Sequence, residues 1–196
     1  MCGCNKNKQL LAAAARPPPA PRAPAASRIV SRVQPVRTVQ VSTPAPVVDL
    51  TSYPPNADTS VWGAALWSVL HICAMFTGTG RHIPLWKNVT KALRIGIPCD
   101  ECRGHYQGWH DKNPIKFKIM FGNIHNDAVK WVATLHNQVN ERIGKPQWTR
   151  DQVKVTYSGN RSAKLAEARG ALASIKDVIG GELFITLDRL IATLGS

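Results

Sequence analysis

Residues Asn126 to Gly144 read NDAVKWVATLHNQVNERIG. Val129, Val132, Leu135, Val139 and Ile143 recur at steps of three and four, the period of a helix with one buried stripe. His136 falls on that stripe, and Gly144 stands where helices commonly end in a left-handed C′ residue. A strand would need alternation by twos, which this stretch lacks. The expected inner face is Val129, Val132, Leu135, His136, Val139 and Ile143.

The helical period continues outward on both sides. DTSVWGAALWSVLHICAMF, from Asp58, places Trp62, Leu66, Val69, Leu70, Cys73 and Phe76 on one broad face, with Asp58 or Thr59 as the cap. IPLWKNVTKALRIG is a shorter helix with Leu85, Trp86, Val89 and Leu93 inward and Gly96 at its stop. Pro98 ends the linker, and Cys99 opens a third helix that runs to about Lys112. KNPIKFKIMFGN reads as a loop with some extended character. KPQWTRDQVKVTYSGN reads as a loop with room for a short strand at Val153 to Tyr157. After Asn160 come two more helices, SAKLAEARGALASIKDVI and, past Gly180 and Gly181, ELFITLDRLIATL. No internal repeat is present. The expected fold is all-α, with a bundle of four to five helices.

What precedes the bundle is different in kind. The first 48 residues carry Lys6, Lys8, Arg16, Arg22, Arg28, Arg32 and Arg37 and no acidic residue. Ten of the 14 prolines lie at or before Pro55, so this stretch does not have a core-forming composition. It reads as a basic, Pro/Ala-rich extended tail. The chain divides into a tail over 1–57, a helical domain over 58–159 and a helical C-terminal extension over 160–196. Its formal charge of +13 points to nucleic acid, a membrane surface or an acidic protein as neighbour. No apolar run looks long enough to span a bilayer. The apolar stretch from Leu10 to Ala15 is shorter than a signal-peptide core, so the chain reads as soluble and not conventionally secreted.

The five cysteines, Cys2, Cys4, Cys73, Cys99 and Cys102, do not form a disulfide-scaffold pattern. IPCDECRGHYQGW sets Cys99 and Cys102 in a CxxC at a helix start, where free backbone N–H groups and the helix dipole favour thiolates. From these residues alone three readings stand. The pair can be a redox centre, it can be part of a zinc site with His105 and His110, or it can be a reduced or structural pair. Gly63, Trp67 and His71 lie four residues apart on one helix face. The glycine admits a flat group, the indole offers a stacking surface and the imidazole a hydrogen bond. His136 and Asn140 share a face on the later helix, beside Trp131 and Asn137, and polar groups in an apolar stripe need partners. Each of these residues also suits a plain core role. Cys73 reads as a small hydrophobe.

In combination, these segments resemble the Erv/ALR family of FAD-linked sulfhydryl oxidases. The residues carrying the resemblance are Gly63-x3-Trp67-x3-His71, Cys99-x2-Cys102, Trp131-x4-His136-Asn137-x2-Asn140 and Gly144-Lys145-Pro146. It covers about Trp62 to Tyr157, half of the chain. CRGHY followed by KNPI looks most like the small versions encoded by large DNA viruses and phages.

The resemblance implies a helical bundle cradling FAD. Cys102 would be the flavin-proximal cysteine, in charge-transfer contact with the ring, and Cys99 the one attacked by an incoming thiol. Gly63, Trp67, His71, Trp131, His136, Asn137, Asn140 and Lys145 would contact FAD, with Tyr157 a looser candidate. A substrate dithiol would reduce the pair through a mixed disulfide, and the electrons would pass by way of the flavin to oxygen, giving hydrogen peroxide. Cys2 and Cys4 could act as a shuttle pair on the tail. No metal is implied. The family's structural disulfide has no cysteines here.

The expected function is therefore a thiol oxidase acting on protein thiols in viral or phage assembly. Residues 1–48 would engage capsid, neck or other virion proteins, with nucleic-acid contact by the basic tail, a homodimer as a further expectation and no membrane. The location would be the virion or the infected cell's cytoplasm. Two other classes remain: a virion structural or connector protein that keeps the fold, and a small zinc-binding, nucleic-acid-associated protein.

Overall fold

The computed structural model describes residues 53–118 and 123–196, and these contain seven helices and no strand. The order is α1 (Thr59–Phe76), α2 (His82–Gly96), α3 (Asp100–Lys112), α4 (Ile124–Arg142), α5 (Arg150–Tyr157), α6 (Arg161–Ser174) and α7 (Gly181–Gly195). The all-α expectation holds. The tail, with Cys2 and Cys4, lies outside the described residues.

α1 is the central element. Asp58 caps it by accepting from the Ser60 N–H at 2.8 Å. Every residue from Val69 to Ala74 is buried, because α4, α5, α6 and α7 all pack against this helix. Phe76, expected on the same face, is only partly buried. By length and composition α1 could cross a bilayer, contrary to the sequence expectation, but here it lies among the other helices. α2 faces α7 along its length and meets α3 at its C-terminal end, burying Trp86, Val89 and Leu93 as expected, with Leu85 half-buried. Thr77 holds the corner between α1 and α2: its hydroxyl donates to Cys73 O and accepts from the Trp86 indole N–H.

α4 ends as Gly144 predicts. That residue has φ +68°, its N–H donates to Glu141 O, and the following Lys145 N–H donates to Asn140 O at 2.8 Å. These are the two bonds of a Schellman close. The expected stripe is buried at Val129, Val132, Leu135 and His136, half-buried at Val139, and fails at Ile143. Ile143 is the C-cap and half exposed, since the helix has already ended there.

The strand expected at Val153 to Tyr157 is a correction: the segment is α5. Thr149 and Gln152 form a reciprocal capping box that starts a helix. A strand would put Val153, Val155 and Tyr157 on one face. Val153 and Tyr157 are buried whereas Val155 is 82% exposed, which is helical spacing.

α6 and α7 pack on the same core as the first five helices, α6 on α1 and α7 on α2. The α2–α7 contact is close because both partners lack a side chain at the crossing. Gly180 N–H donates to Gly96 O at 2.9 Å, and a Cβ on Gly180 would sit 2.7 Å from Gly96 Cα.

Candidate functional site

The backbone that delivers Cys99 is held from several directions. Gly96 O accepts from Gly180 at the start of α7, and Pro98 O accepts from Ala57 N–H just before α1. Ile97 O accepts from Cys99 N–H and from the buried Arg103 guanidinium. Cys99 O takes the Arg103 N–H, opening α3. Asn56 accepts from Asp100 N–H at 2.7 Å and donates to its carboxylate, and Arg103 pairs with Asp100 while lying over the Tyr53 ring. Each carbonyl from Gly96 to Cys99 thus has a donor.

At this helix start Cys99 and Cys102 form a disulfide, and the Cys102 N–H points at Cys99 Sγ at 3.1 Å. Cys73 is wholly buried and free, its thiol pushed up to about 12 by burial, so it offers no reactive thiolate. The zinc reading finds no support: both cysteines are oxidised, and no group of three potential ligands gathers among the described residues. His105 reaches only toward Glu101, and His110 lies beside Arg94.

Beside the disulfide lies a cleft of about 1020 Å³ between α1, α3, α4 and the segment leading to α5. That is at the upper end of the range for sites that take cofactors, about 300–1,000 Å³. Cys102 lines it and Cys99 does not. Gly63 on α1 and Gly104 and Gly108 on α3 also line it, and a Cβ at any of the three would meet no protein atom within 4 Å. Side chains there would fill the cleft instead. Lys112, Arg142 and Lys145 contribute positive charge, and no Asp or Glu is among the lining residues. Apolar and aromatic walls with a cationic, carboxylate-free rim suit a flat ligand bearing phosphates.

One wall is a cluster of aromatic rings. Trp67 stacks on His136 at 4.2 Å with the planes 8° apart, and His71 stacks on Tyr157 at 4.5 Å and 8°. Nε2 of His71 lies 2.9 Å from Nδ1 of His136. Burial, then the neighbouring His136, lowers His71 to about 3. Burial, then the Lys145 charge, lowers His136 to about 4. Both rings are therefore neutral near pH 7.

Of the residues singled out from sequence, Gly63, Trp67, Cys102, His136, Asn140, Lys145 and the looser candidate Tyr157 line this cleft together. His71, Trp131, Asn137 and Cys99 lie outside its lining. His71 is buried behind His136. Trp131 packs edge-on against Trp86, with its indole N–H on Asn113 O. Asn137 binds both the N–H and the C=O of Trp148, fixing the turn after Pro146, while Asn140 donates to Pro146 O. Trp148, Trp109 and Arg142 also line the cleft and were not anticipated. Trp148 stands two residues after GKP, in GKPQW, which is the one sequence signal that could have found it.

Sequence comparison relates the chain to known proteins. The sequence model of the Erv1 / Alr family matches residues 64–158. The "FAD-linked sulfhydryl oxidase" of African swine fever virus (isolate Warthog/Namibia/Wart80/1980) is 31% identical over 90 residues, 43% of this chain and 69% of that protein. The Frog virus 3 (isolate Goorha) protein named "Putative FAD-linked sulfhydryl oxidase 088R" is 26% identical over 106 residues, 50% of this chain and 67% of its own length. An Invertebrate iridescent virus 3 protein, "Putative FAD-linked sulfhydryl oxidase 096R", is 28% identical over 124 residues, 57% of this chain and 78% of its own. No solved structure matches.

Proposed function

The chain belongs to the Erv1 / Alr family and is a flavin-dependent thiol oxidase, and on that premise we propose that its cleft holds FAD beside the Cys99–Cys102 disulfide. The observation that carries this reading is the asymmetry of the pair: Cys102 lines the cleft and Cys99 lies off it. Cys99 receives the thiolate of a protein substrate, which forms a mixed disulfide and releases Cys102 as the thiolate at α3. A second substrate thiol then resolves the mixed disulfide, leaving substrate oxidised and the pair reduced. FAD, when bound, accepts the pair's two electrons and passes them to oxygen, giving hydrogen peroxide.

Gly63, Gly104 and Gly108 leave room for the cofactor, Trp67 and His136 form an aromatic wall, and Asn140 and Lys145 supply polar contacts. Lys112 and Arg142 complement its phosphates. Trp131 packs against the cleft residue Trp109, and Asn137 holds Trp148 in place. Residues 58–159 contain these groups, and α6 and α7 brace them. A shuttle role for Cys2 and Cys4 remains part of the proposal. The viral relatives favour work in an infected cell on protein thiols. No feature of the described residues favours a capsid, neck or nucleic-acid partner.

The test is the visible absorption spectrum of the purified protein before and after a dithiol is added in air. A flavin spectrum that bleaches and recovers, with peroxide released, is the expected result. Cys102→Ser should retain the flavin and lose dithiol-dependent peroxide. A colourless protein that FAD does not reconstitute would refute the cofactor assignment.

A further inference from the structure

Two imidazoles behind and within the cleft wall share one hydrogen bond, between Nε2 of His71 and Nδ1 of His136. With both rings neutral, only one proton occupies that contact, so their tautomers are linked. If His71 donates, both rings carry their proton on Nε2. If His136 donates, both carry it on Nδ1. The ring planes are pinned by Trp67 on one side and Tyr157 on the other. A charged His136 is not a third option near neutrality, because burial and Lys145 hold it low.

The surroundings distinguish the two states. Nδ1 of His71 is buried and has no hydrogen-bond partner. In the second state that atom would carry an unpaired buried N–H, and orphaned N–H groups are rarer in folded proteins than under-satisfied acceptors. In the first state it carries only a lone pair. The first state also places a free N–H on His136 Nε2, across the ring from His71, on a residue that lines the cleft.

We propose that His71 is a positioning residue: by donating to Nδ1 of His136 it holds His136 in the Nε2–H tautomer, so that the wall presents a fixed N–H donor to an acceptor atom of the bound flavin nucleotide. This rests on the cleft being the FAD site. His71 lies outside the cleft lining and acts through His136.

The experiment is long-range ¹H–¹⁵N correlation of histidine side chains in the full-length, ¹⁵N-labelled protein at pH 7, freed of FAD and then titrated with it. Both rings should carry their proton on Nε2 before FAD is added. His71→Phe keeps a ring but removes the donor; it should leave His136 in mixed tautomers and weaken FAD by about tenfold. His71→Gln, whose amide can donate, should restore most of that affinity and guards against a folding artefact. His136 protonated on Nδ1 in the wild-type protein overturns the proposal. So does a His71→Phe protein that keeps both the tautomer and the FAD affinity. Nε2–H on both rings in a protein that takes up no FAD would refute the cofactor reading while leaving the tautomer lock standing.

Discussion

Gly96→Ala and Gly170→Ala are the same substitution with opposite expected signs. A Cβ on Gly96 would collide with Leu183 Cβ and lie 3.0 and 3.2 Å from Leu183 Cδ2 and Cγ. The first of these atoms is fixed to the α7 backbone, so no rotamer change relieves it. α7 must move off α2 by roughly 1 Å to restore a carbon contact of about 3.5–4.0 Å. The crossing also carries the Gly180 N–H to Gly96 O bond, which that shift stretches. Overpacking of this kind costs about 1–3 kcal/mol. For a chain of this size each kcal/mol moves Tm by about 2–4 °C, so Gly96→Ala should lower Tm by about 2–12 °C. Gly170 lies on the exposed face of α6 with nothing within 4 Å of its Cβ position. There alanine should add about 0.5–1 kcal/mol through helix propensity alone. Thermal unfolding followed by far-UV circular dichroism measures both. Equal Tm shifts in the two variants, or a Gly96→Ala protein as stable as wild type, would refute the α2–α7 interlock.

Two further outcomes follow from local chemistry. Thr149→Ala removes half of the capping box that starts α5 and should cost about 1 kcal/mol in urea unfolding; an unchanged midpoint would mean that the box contributes nothing. His71 and His136 titrate at about 3 and 4 in the folded protein, against about 6.5 unfolded. The unfolded chain therefore binds more protons below pH 6.5, so stability is fully present above that pH and falls as pH drops toward 4. Each group contributes a slope of up to about 1.4 kcal/mol per pH unit, and unfolding midpoints that stay level from pH 6 to pH 4.5 would contradict the two neutral buried rings.

Sequence periodicity reveals α1, α2, α4, α6 and α7 because each carries an apolar stripe at a spacing no strand can use, whereas α3, which buries only Arg103 and Tyr106, is placed by Pro98 and the CxxC. α5 escapes it. Its eight residues hold only Val153 and Tyr157 inward, and the intervening Val155 imitates alternation. The Thr149–Gln152 capping box was the better local signal there. The redox pair is legible from the CxxC and its neighbours, but the asymmetry between Cys99 and Cys102 needs the cleft, which forms only when α1, α3 and α4 meet. His71 shows the same limit. Its spacing puts it in line with Gly63 and Trp67, yet one further turn along α1 carries it behind His136 and out of the cleft lining. The destination of α6 and α7 is not written in their own amphipathic patterns, since an apolar face does not name its partner. For α7, Gly96 and Gly180 allow the close approach to α2, and they matter only as a pair.

The segment that presents the disulfide depends on residues beyond the family match. Asn56 and Ala57 lie before residue 64, and Gly180 lies after residue 158. Asn56 has a specific electronic consequence. Its Oδ1 takes the Asp100 N–H, one of the donors that a helix start otherwise turns toward nearby negative charge. Asn56→Ala frees that donor beside Cys99 and Cys102, and it also loosens the backbone that the disulfide constrains. Both effects favour the reduced pair, the first by stabilising thiolates. One hydrogen bond of about 1 kcal/mol corresponds to about 20 mV for a two-electron couple, so the potential should rise by roughly that amount. Equilibration of the Cys99–Cys102 pair against glutathione buffers, read by thiol alkylation and mass, would measure it. An unchanged or more negative potential would show that the Asn56 clasp holds the chain without tuning its chemistry.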